Sequence, residues 1–258
     1  MSLPINQIIC GDNVATMQSF PNDCIDLVVT SPPYDNLRTY SAGKPMEELW
    51  NFEAVAQQLW RVIKPGGVVV WVVADATVDG SETGTSFRQA LRFMEIGFRL
   101  HDTMIYQTSK PPMNDRRYQS EFEFMFVFAR NAPSVWNPIK SPTKHAGEKV
   151  SGTYWNVDCT QKPRHGDGRP VDEDFVRGNV WRMVDRQGNG HPATFPEALA
   201  RDHILSWSNE GDIVLDPFSG SGTTAKMAKH NGRRWIGIEV NPEYCEIAEK
   251  RLAQGVLF

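Results

Sequence analysis

With 258 residues, 40% of them hydrophobic and 22% charged, the chain has the composition of one large globular domain, or of one domain carrying an insertion. No run approaches the roughly 20 apolar residues of a membrane span, and residues 1–6 lack the basic flank and apolar core of a signal peptide. A net charge of −4 gives no global signal for a nucleic-acid partner, although a local basic surface suffices for one. The four cysteines (Cys10, Cys24, Cys159, Cys245) show no CxxC spacing, which argues against a metal cage or a disulfide framework and suits a reducing compartment.

Residues 5–9 read as a short strand ending at Cys10-Gly11-Asp12, and a helical stretch follows over 14–20. Residues 25–29 form an apolar run of the kind found in buried parallel strands. The run leads into Thr30-Ser31-Pro32-Pro33-Tyr34. Its two prolines fix φ and remove two backbone donors, which leaves a stiff turn presenting carbonyl oxygens, a hydroxyl and a flat ring. Ligands of open α/β sheets bind outside the carboxyl ends of strands, so this turn is a candidate active site.

Residues 35–45 read as a loop. Apolar residues at helical spacing mark 46–63 (Met46, Leu49, Trp50, Phe52, Val55, Leu59), and Lys64-Pro65-Gly66-Gly67 stops that helix. Residues 68–73 are a β-branched run broken only by Trp71, a buried strand. After a polar loop, Phe87, Ala90, Leu91 and Met94 mark a further helix, stopped at Gly97, and 98–106 reads as a strand. Strict alternation over 121–128 predicts a strand, antiparallel to its partner.

From about residue 137 to 190 the hydrophobic periodicity fades. Between Pro138 and Arg169 six basic residues (Lys140, Lys144, Lys149, Lys162, Arg164, Arg169) face three acids (Glu148, Asp158, Asp167). An irregular insertion of this length is functional or disordered. Regular structure resumes at His191-Pro192-Ala193-Thr194-Phe195-Pro196, followed by a helix over 197–207. A strand over 212–215 then runs into Asp216-Pro217-Phe218-Ser219-Gly220-Ser221-Gly222-Thr223-Thr224, which opens a helix to His230. The next strand, 234–238, ends in Glu239, and Asn241-Pro242 starts the last helix. Seven strands separated mostly by helices imply a Rossmann-like α/β fold with a mainly parallel sheet covered on both faces. Gly220 and Gly222 allow a ligand to approach the backbone, and an acid at the end of the next strand can bind ribose hydroxyls. The spacing is not GxGxxG and no P-loop lysine follows, so the ligand has a nucleoside but need not have phosphates.

Residues 216–224 resemble the S-adenosylmethionine motif of DNA methyltransferases that modify exocyclic amino groups, and 30–34 resemble their catalytic motif, (Asp/Asn/Ser)-Pro-Pro-(Tyr/Phe/Trp). The order of the two, with the insertion between, resembles the circularly permuted β-class arrangement. The resemblance implies a catalytic half at 1–136, a target-recognition insertion at 137–190 and a cofactor-binding half at 191–258. It implies that Asp216, Phe218, Gly220 and Gly222 shape the cofactor pocket, that Glu239 binds the ribose, that Asp12 binds the adenine amino group, and that Thr194 and Phe195 line the methionine side. Ser31 Oγ and the Pro32 carbonyl become acceptors for the target amino group, Pro33 stiffens the turn, and Tyr34 is a stacking face for a base flipped out of double-stranded DNA. Transfer is then direct and in line; no Pro-Cys dipeptide occurs, as attack through cytosine C5 would need.

Serine at position 31 is typical of cytosine-N4 enzymes and aspartate of adenine-N6 enzymes, so the expected product is N4-methylcytosine. An N6-adenine enzyme and a catalytically inert DNA-binding relative are the alternatives. Asn36, Arg38, Lys110, Arg116 and Arg117 are further candidates for facing DNA. The resemblance allows a homodimer and a cognate restriction endonuclease as partners, gives no role to a membrane or a metal, and suits a cytoplasmic, nucleoid-associated protein of prokaryotic or phage type.

Overall fold

The computed structural model describes residues 3–33, 50–108, 118–163, 168–183 and 195–254. Expectations for 34–49 and 109–117, Tyr34, Asn36, Arg38, Lys110, Arg116 and Arg117 among them, lie outside the described residues, as do those for Arg164, Asp167 and His191 to Thr194.

In chain order the elements are β1 (Gln7–Cys10), α1 (Asn13–Gln18), β2 (Ile25–Thr30), α2 (Phe52–Val62), β3 (Ile63–Val73), β4 (Thr77–Val78), β5 (Ser81–Glu82), α3 (Thr85–Ile96), β6 (Arg99–Gln107) and β7 (Phe122–Ala129). Then come β8 (Lys140–Pro142), β9 (Thr153–Trp155), β10 (Gln161–Pro163), β11 (Asp174–Val176), β12 (Val180–Arg182), α4 (Glu197–Trp207), β13 (Ile213–Asp216), α5 (Thr223–His230), β14 (Arg234–Glu239) and α6 (Pro242–Ala253). No helix among the described residues is long and apolar enough to cross a membrane.

Eight strands form the main sheet, in the order β1-β14-β13-β2-β3-β7-β6-β12. Neighbours from β1 to β3 are parallel, and β7 runs antiparallel to both β3 and β6, as its alternating pattern predicts. The central strands are apolar on both faces because helices cover both: Leu27, Val28 and Val29 of β2 and Val69, Val70 and Trp71 of β3 have no solvent exposure. Chain order reverses between β13 and β2, since β14 and β1 lie to one side and β3 to the other. That crevice is where an open sheet of this type accepts a ligand.

Several boundaries differ from the sequence reading. Helix α2 begins at Phe52, because Asn51 is extended and its side chain accepts the Ala54 N–H at 3.0 Å as an N-cap. Strand β3 begins at Ile63 and runs through Pro65-Gly66-Gly67, which the sequence reads as a stop. Pairing is shifted there against β2, and Gly67 sits so close to Asp26 and Lys64 that a Cβ would meet their carbonyl oxygens at 2.9 and 3.0 Å. Of the four apolar residues that mark α3, only Ala90 is buried; Phe87, Leu91 and Met94 are exposed. The buried face is Ser86, Gln89, Ala90 and Phe93, with Gln89 Oε1 accepting from the Trp71 indole N–H at 2.9 Å. An eighth strand, β12, lies in the stretch read as irregular; its three residues pair with β6 and are too few to show a period.

The described residues divide into two compact units, with residues 138–178 as the second. Taken alone, this unit is built from two antiparallel ribbons, β8 with β11 and β9 with β10. Lys140 pairs with Asp174 at 3.0 Å across the first ribbon.

Gly67→Ala should cost roughly 1–3 kcal/mol of stability, because the added methyl is blocked by two backbone carbonyl oxygens and by the fully buried Ile63 side chain. Gly178→Ala, where no atom lies within 4 Å of the added Cβ, should stay within about 0.5 kcal/mol. Urea unfolding of both variants checks the contrast.

Candidate active site

Pairing of β13 with β2 places Val214 opposite Leu27 and Leu215 opposite Val28, so the ends of the two strands lie side by side. Thr30, the last residue of β2, donates its hydroxyl to Asp216 Oδ1 at 2.6 Å. Both residues are buried. The same oxygen accepts the Phe218 N–H at 3.0 Å, and Thr224 of α5 donates its hydroxyl to the Val29 carbonyl at 3.0 Å. The proline turn and the glycine-rich turn are thereby joined although they are far apart in sequence. Burial pushes the Asp216 carboxyl up to about 6; hydrogen bonds from Thr30 and the Phe218 N–H, with the Thr224 hydroxyl close by, oppose the shift, and the nearby Glu239 adds to it.

Beyond Thr30, Ser31 and Pro33 are half-buried and Pro32 is buried. Phe218 is half-buried and packs edge-on to Trp50, with ring centroids 5.0 Å apart, and against Trp71 at 6.2 Å. These rings belong to an aromatic group that includes Phe52 and Phe93, so the glycine-rich turn is seated on the hydrophobic core.

Gly220 and Gly222 have φ of +50° and +80°, a region that favours glycine. Their surroundings differ. A Cβ on Gly222 would meet the Ala248 Cβ at 3.0 Å, so this glycine lets α5 start against α6. No atom lies within 4 Å of the corresponding point at Gly220, which leaves open space above the turn. Glu239, at the end of β14, accepts the Gly220 N–H at Oε2 and the Asn241 N–H at Oε1, both at 2.8 Å. A carboxylate offers about four acceptor positions, so the group retains capacity for sugar hydroxyls. Open space over Gly220 beside a fixed carboxylate fits a nucleoside.

Cys10 pairs with Glu239 in register, which brings the turn after β1 beside that carboxylate. Asp12 itself is exposed and is the N-cap of α1, with Oδ1 accepting the Ala15 N–H at 2.7 Å. Next to it, Asn13 Nδ2 donates to the Pro217 carbonyl at 3.1 Å and ties α1 to the glycine-rich turn.

Phe195 is half-buried and leads through Pro196 into α4, whose first residue, Glu197, accepts from Lys226 at 2.7 Å and from Arg251 at 2.9 Å. The other Arg251 nitrogen donates to the Ser221 carbonyl at 2.7 Å and to its hydroxyl at 2.6 Å. The stretch containing Phe195 is therefore braced against the glycine-rich turn. Tyr34 and Thr194, both predicted site residues, lie outside the described residues.

Sequence reasoning assigns no role to Thr30, Asn13, Thr224 or Arg251. Thr30 and Thr224 sit within the two motifs, and a hydroxyl at the last position of a buried strand is the available signal. Arg251 gives none, because a basic residue in the last turn of an exposed helix is commonplace.

Three comparisons bear on this geometry. The family model described as DNA methylase matches residues 25–250. The orphan methyltransferase M.BamHII of Bacillus amyloliquefaciens is 50% identical over 248 residues, covering 91% of each chain. Among solved structures, TTHA0409 of Thermus thermophilus, complexed with S-adenosyl-L-methionine, is 26% identical with a TM-score of 0.66 and covers 96% of this chain and 94% of its own. The PvuII DNA methyltransferase (cytosine-N4-specific) has a TM-score of 0.70 at 23% identity, covering 97% and 87%, and shares the fold.

A raised carboxyl pKa penalises the folded chain once the group ionises. The stability of the wild type relative to Asp216→Asn should therefore be highest below the unfolded value of 3.8 and fall as pH rises through about 6, by about 3 kcal/mol in all. Urea unfolding at a series of pH values reads this directly, and a flat difference contradicts it.

Proposed function

The chain belongs to the DNA methylase family that modifies exocyclic amino groups, and on that premise we propose that it transfers a methyl group from S-adenosyl-L-methionine to N4 of cytosine in DNA. The chain is a DNA methyltransferase for cytosine N4 or adenine N6. The observation that carries the finer reading is a serine at position 31, held one residue from the contact between the two turns by the Thr30–Asp216 hydrogen bond.

When bound, the cofactor supplies an electrophilic methyl group on a sulfonium. Glu239 accepts hydrogen bonds from the ribose while its backbone partners hold it in place. Gly220 leaves room for the nucleoside, Asp216 and Phe218 shape the pocket, and Phe195 with Thr194 lines the methionine side. Asp12 accepts from the adenine amino group with the capacity left after capping α1. At the other turn, Ser31 Oγ and the Pro32 carbonyl accept the two N–H bonds of the target amino group. That nitrogen then becomes more tetrahedral, and its lone pair leaves the ring plane toward the methyl. The buried Pro32 and the adjoining Pro33 hold both acceptors with little reorganisation. Tyr34 stacks on the flipped base. The protein forms no covalent bond to the base in this scheme.

Serine rather than aspartate at position 31 supports cytosine over adenine. The lysines and arginines of residues 137–190 supply phosphate contacts and base readout for target recognition. An exposed apolar stripe on α3 (Phe87, Leu91, Met94) supports a homodimer. A relative at 50% identity is named an orphan methyltransferase, which weighs against a dedicated endonuclease partner. The chain then acts in the cytoplasm, where its DNA is.

Incubation of the protein with S-adenosyl-L-methionine and mixed DNA, followed by digestion to nucleosides, should yield N4-methylcytosine. N6-methyladenine alone would overturn the base assignment and leave the reaction class standing. Ser31→Ala should lower kcat on the order of 10²-fold, as loss of one positioned polar partner does. If the wild type and Ser31→Ala bind DNA equally and neither transfers methyl, the protein is an inert binder.

A further inference from the structure

We propose that the β9–β10 hairpin is the part of this chain that enters a DNA groove, with Val157 at its tip acting as a wedge between base steps. The inference rests on the DNA methyltransferase assignment and adds to it a named recognition element.

The hairpin is a bare two-stranded ribbon. Register sets Tyr154 opposite Lys162 and Trp155 opposite Gln161. Directly opposed residues share a face, so one side carries an aromatic ring with a cation and the other an aromatic ring with an amide. All six strand residues are exposed. Isolated apolar residues on a surface are ordinary. Here Tyr154 at 48%, Trp155 at 67% and Val157 at 106% of full exposure fall within one short stretch of the same ribbon. A ribbon of this width fits the major groove.

The tip is braced from inside. Asn156 N–H donates to the Thr160 carbonyl at 2.8 Å, and Cys159 N–H to the Asn156 carbonyl at 3.0 Å. Asn156 Nδ2 donates to Thr160 Oγ1 at 3.0 Å. Asp158 Oδ1 accepts from both the N–H and the hydroxyl of Thr160, at 3.1 and 2.6 Å. Cys159 adopts φ of +59° to complete the turn. These bonds hold the loop and leave the Val157 side chain in solvent. A β-branched side chain is already stiff at χ1, so inserting it costs little further entropy. Proteins that unstack and kink a duplex do so by inserting an apolar side chain between base steps, a move known from the minor groove that Val157 would make from a ribbon.

Residues 138–178 carry seven Lys or Arg against six Asp or Glu, so phosphate contacts rest on individual unpaired lysines rather than on net charge. Among the described residues, Lys144, Lys149 and Lys162 of the same unit form no ion pair. Their ammonium groups are available to phosphates. Asp158 beside Val157 is exposed and held ionised by its hydrogen bonds from Thr160, so the tip makes its contact through the apolar Val157 while the lysines meet phosphates.

The test uses the full chain, the Val157→Ala variant, and duplexes containing the methylation site. In a series of duplexes a single mismatch is moved step by step through the site, which removes the unstacking cost at one position at a time. On the matched duplex Val157→Ala should lower kcat/KM on the order of tenfold, since a wedge offsets part of the cost of unstacking. One mismatch placement should restore it to nearly the wild-type value, while KM for S-adenosyl-L-methionine stays unchanged throughout. Unchanged activity in Val157→Ala would overturn the proposal, and so would an equal loss at every placement. Fluorescence anisotropy on the same duplexes makes the same comparison without turnover. A wild type that transfers no methyl therefore overturns the transferase reading, while binding still decides the wedge. Val157 buries nothing, so a thermal melt of the variant should match the wild type.

Discussion

A single buried hydrogen bond, from the Thr30 hydroxyl to Asp216, holds together the parts on which this molecule depends. An unsatisfied carboxylate at this depth would cost several kcal/mol, so Asp216 requires its donors. One donor is local, the Phe218 N–H of the same glycine-rich turn, and the other is distant, the Thr30 hydroxyl from the strand that delivers the proline turn. Parallel pairing of β13 and β2 makes the contact available, and the aromatic wall of Trp50, Trp71 and Phe218 keeps it next to the hydrophobic core. Geometry at Ser31 thus inherits its rigidity from a residue whose own side chain touches no reacting atom.

Around this bond the other turns at the same end of the sheet are tied in by polar contacts of the same kind. Asn13 reaches the Pro217 carbonyl, Glu239 holds Gly220, and Arg251 holds Ser221 while bonding Glu197. Each link joins a turn after a strand to a neighbouring element. A loop so braced can carry two left-handed glycines without collapsing into the space above Gly220. The second unit follows a different rule. Its described ribbons are short and open to solvent, as suits the recognition role proposed for it.

Strands with strong apolar content were readable from sequence, because β2, β3, β7 and β13 are buried on both faces or alternate strictly. The proline turn, the glycine-rich turn and Glu239 also stand out in the sequence by residue type, and the structure ties them together at one end of the sheet. Position along a helix was less readable: Phe87, Leu91 and Met94 have helical spacing yet face outward, while the buried side of α3 uses Ser86 and Gln89. A hydrogen bond from the Trp71 indole satisfies Gln89, and no periodicity rule registers that partnership. Strand β3 runs through a Pro-Gly-Gly stretch because a register shift against β2 absorbs it. The capping of α1 by Asp12 is not read from the sequence, since an acid after a strand carries no mark of the helix it starts. The ribbons of the second unit rest on three-residue pairings and turn bonds, which leave no hydrophobic signature.

The central claim is that the two turns act as one unit through Thr30 and Asp216. A double-mutant cycle on single-turnover methyl transfer, using Thr30→Val, Asp216→Asn and the pair, measures that coupling. The account predicts non-additive losses, with the pair little worse than the poorer single variant and a coupling energy of about 1 kcal/mol or more. Losses that simply add would show that the proline turn and the glycine-rich turn are positioned independently, and would contradict it.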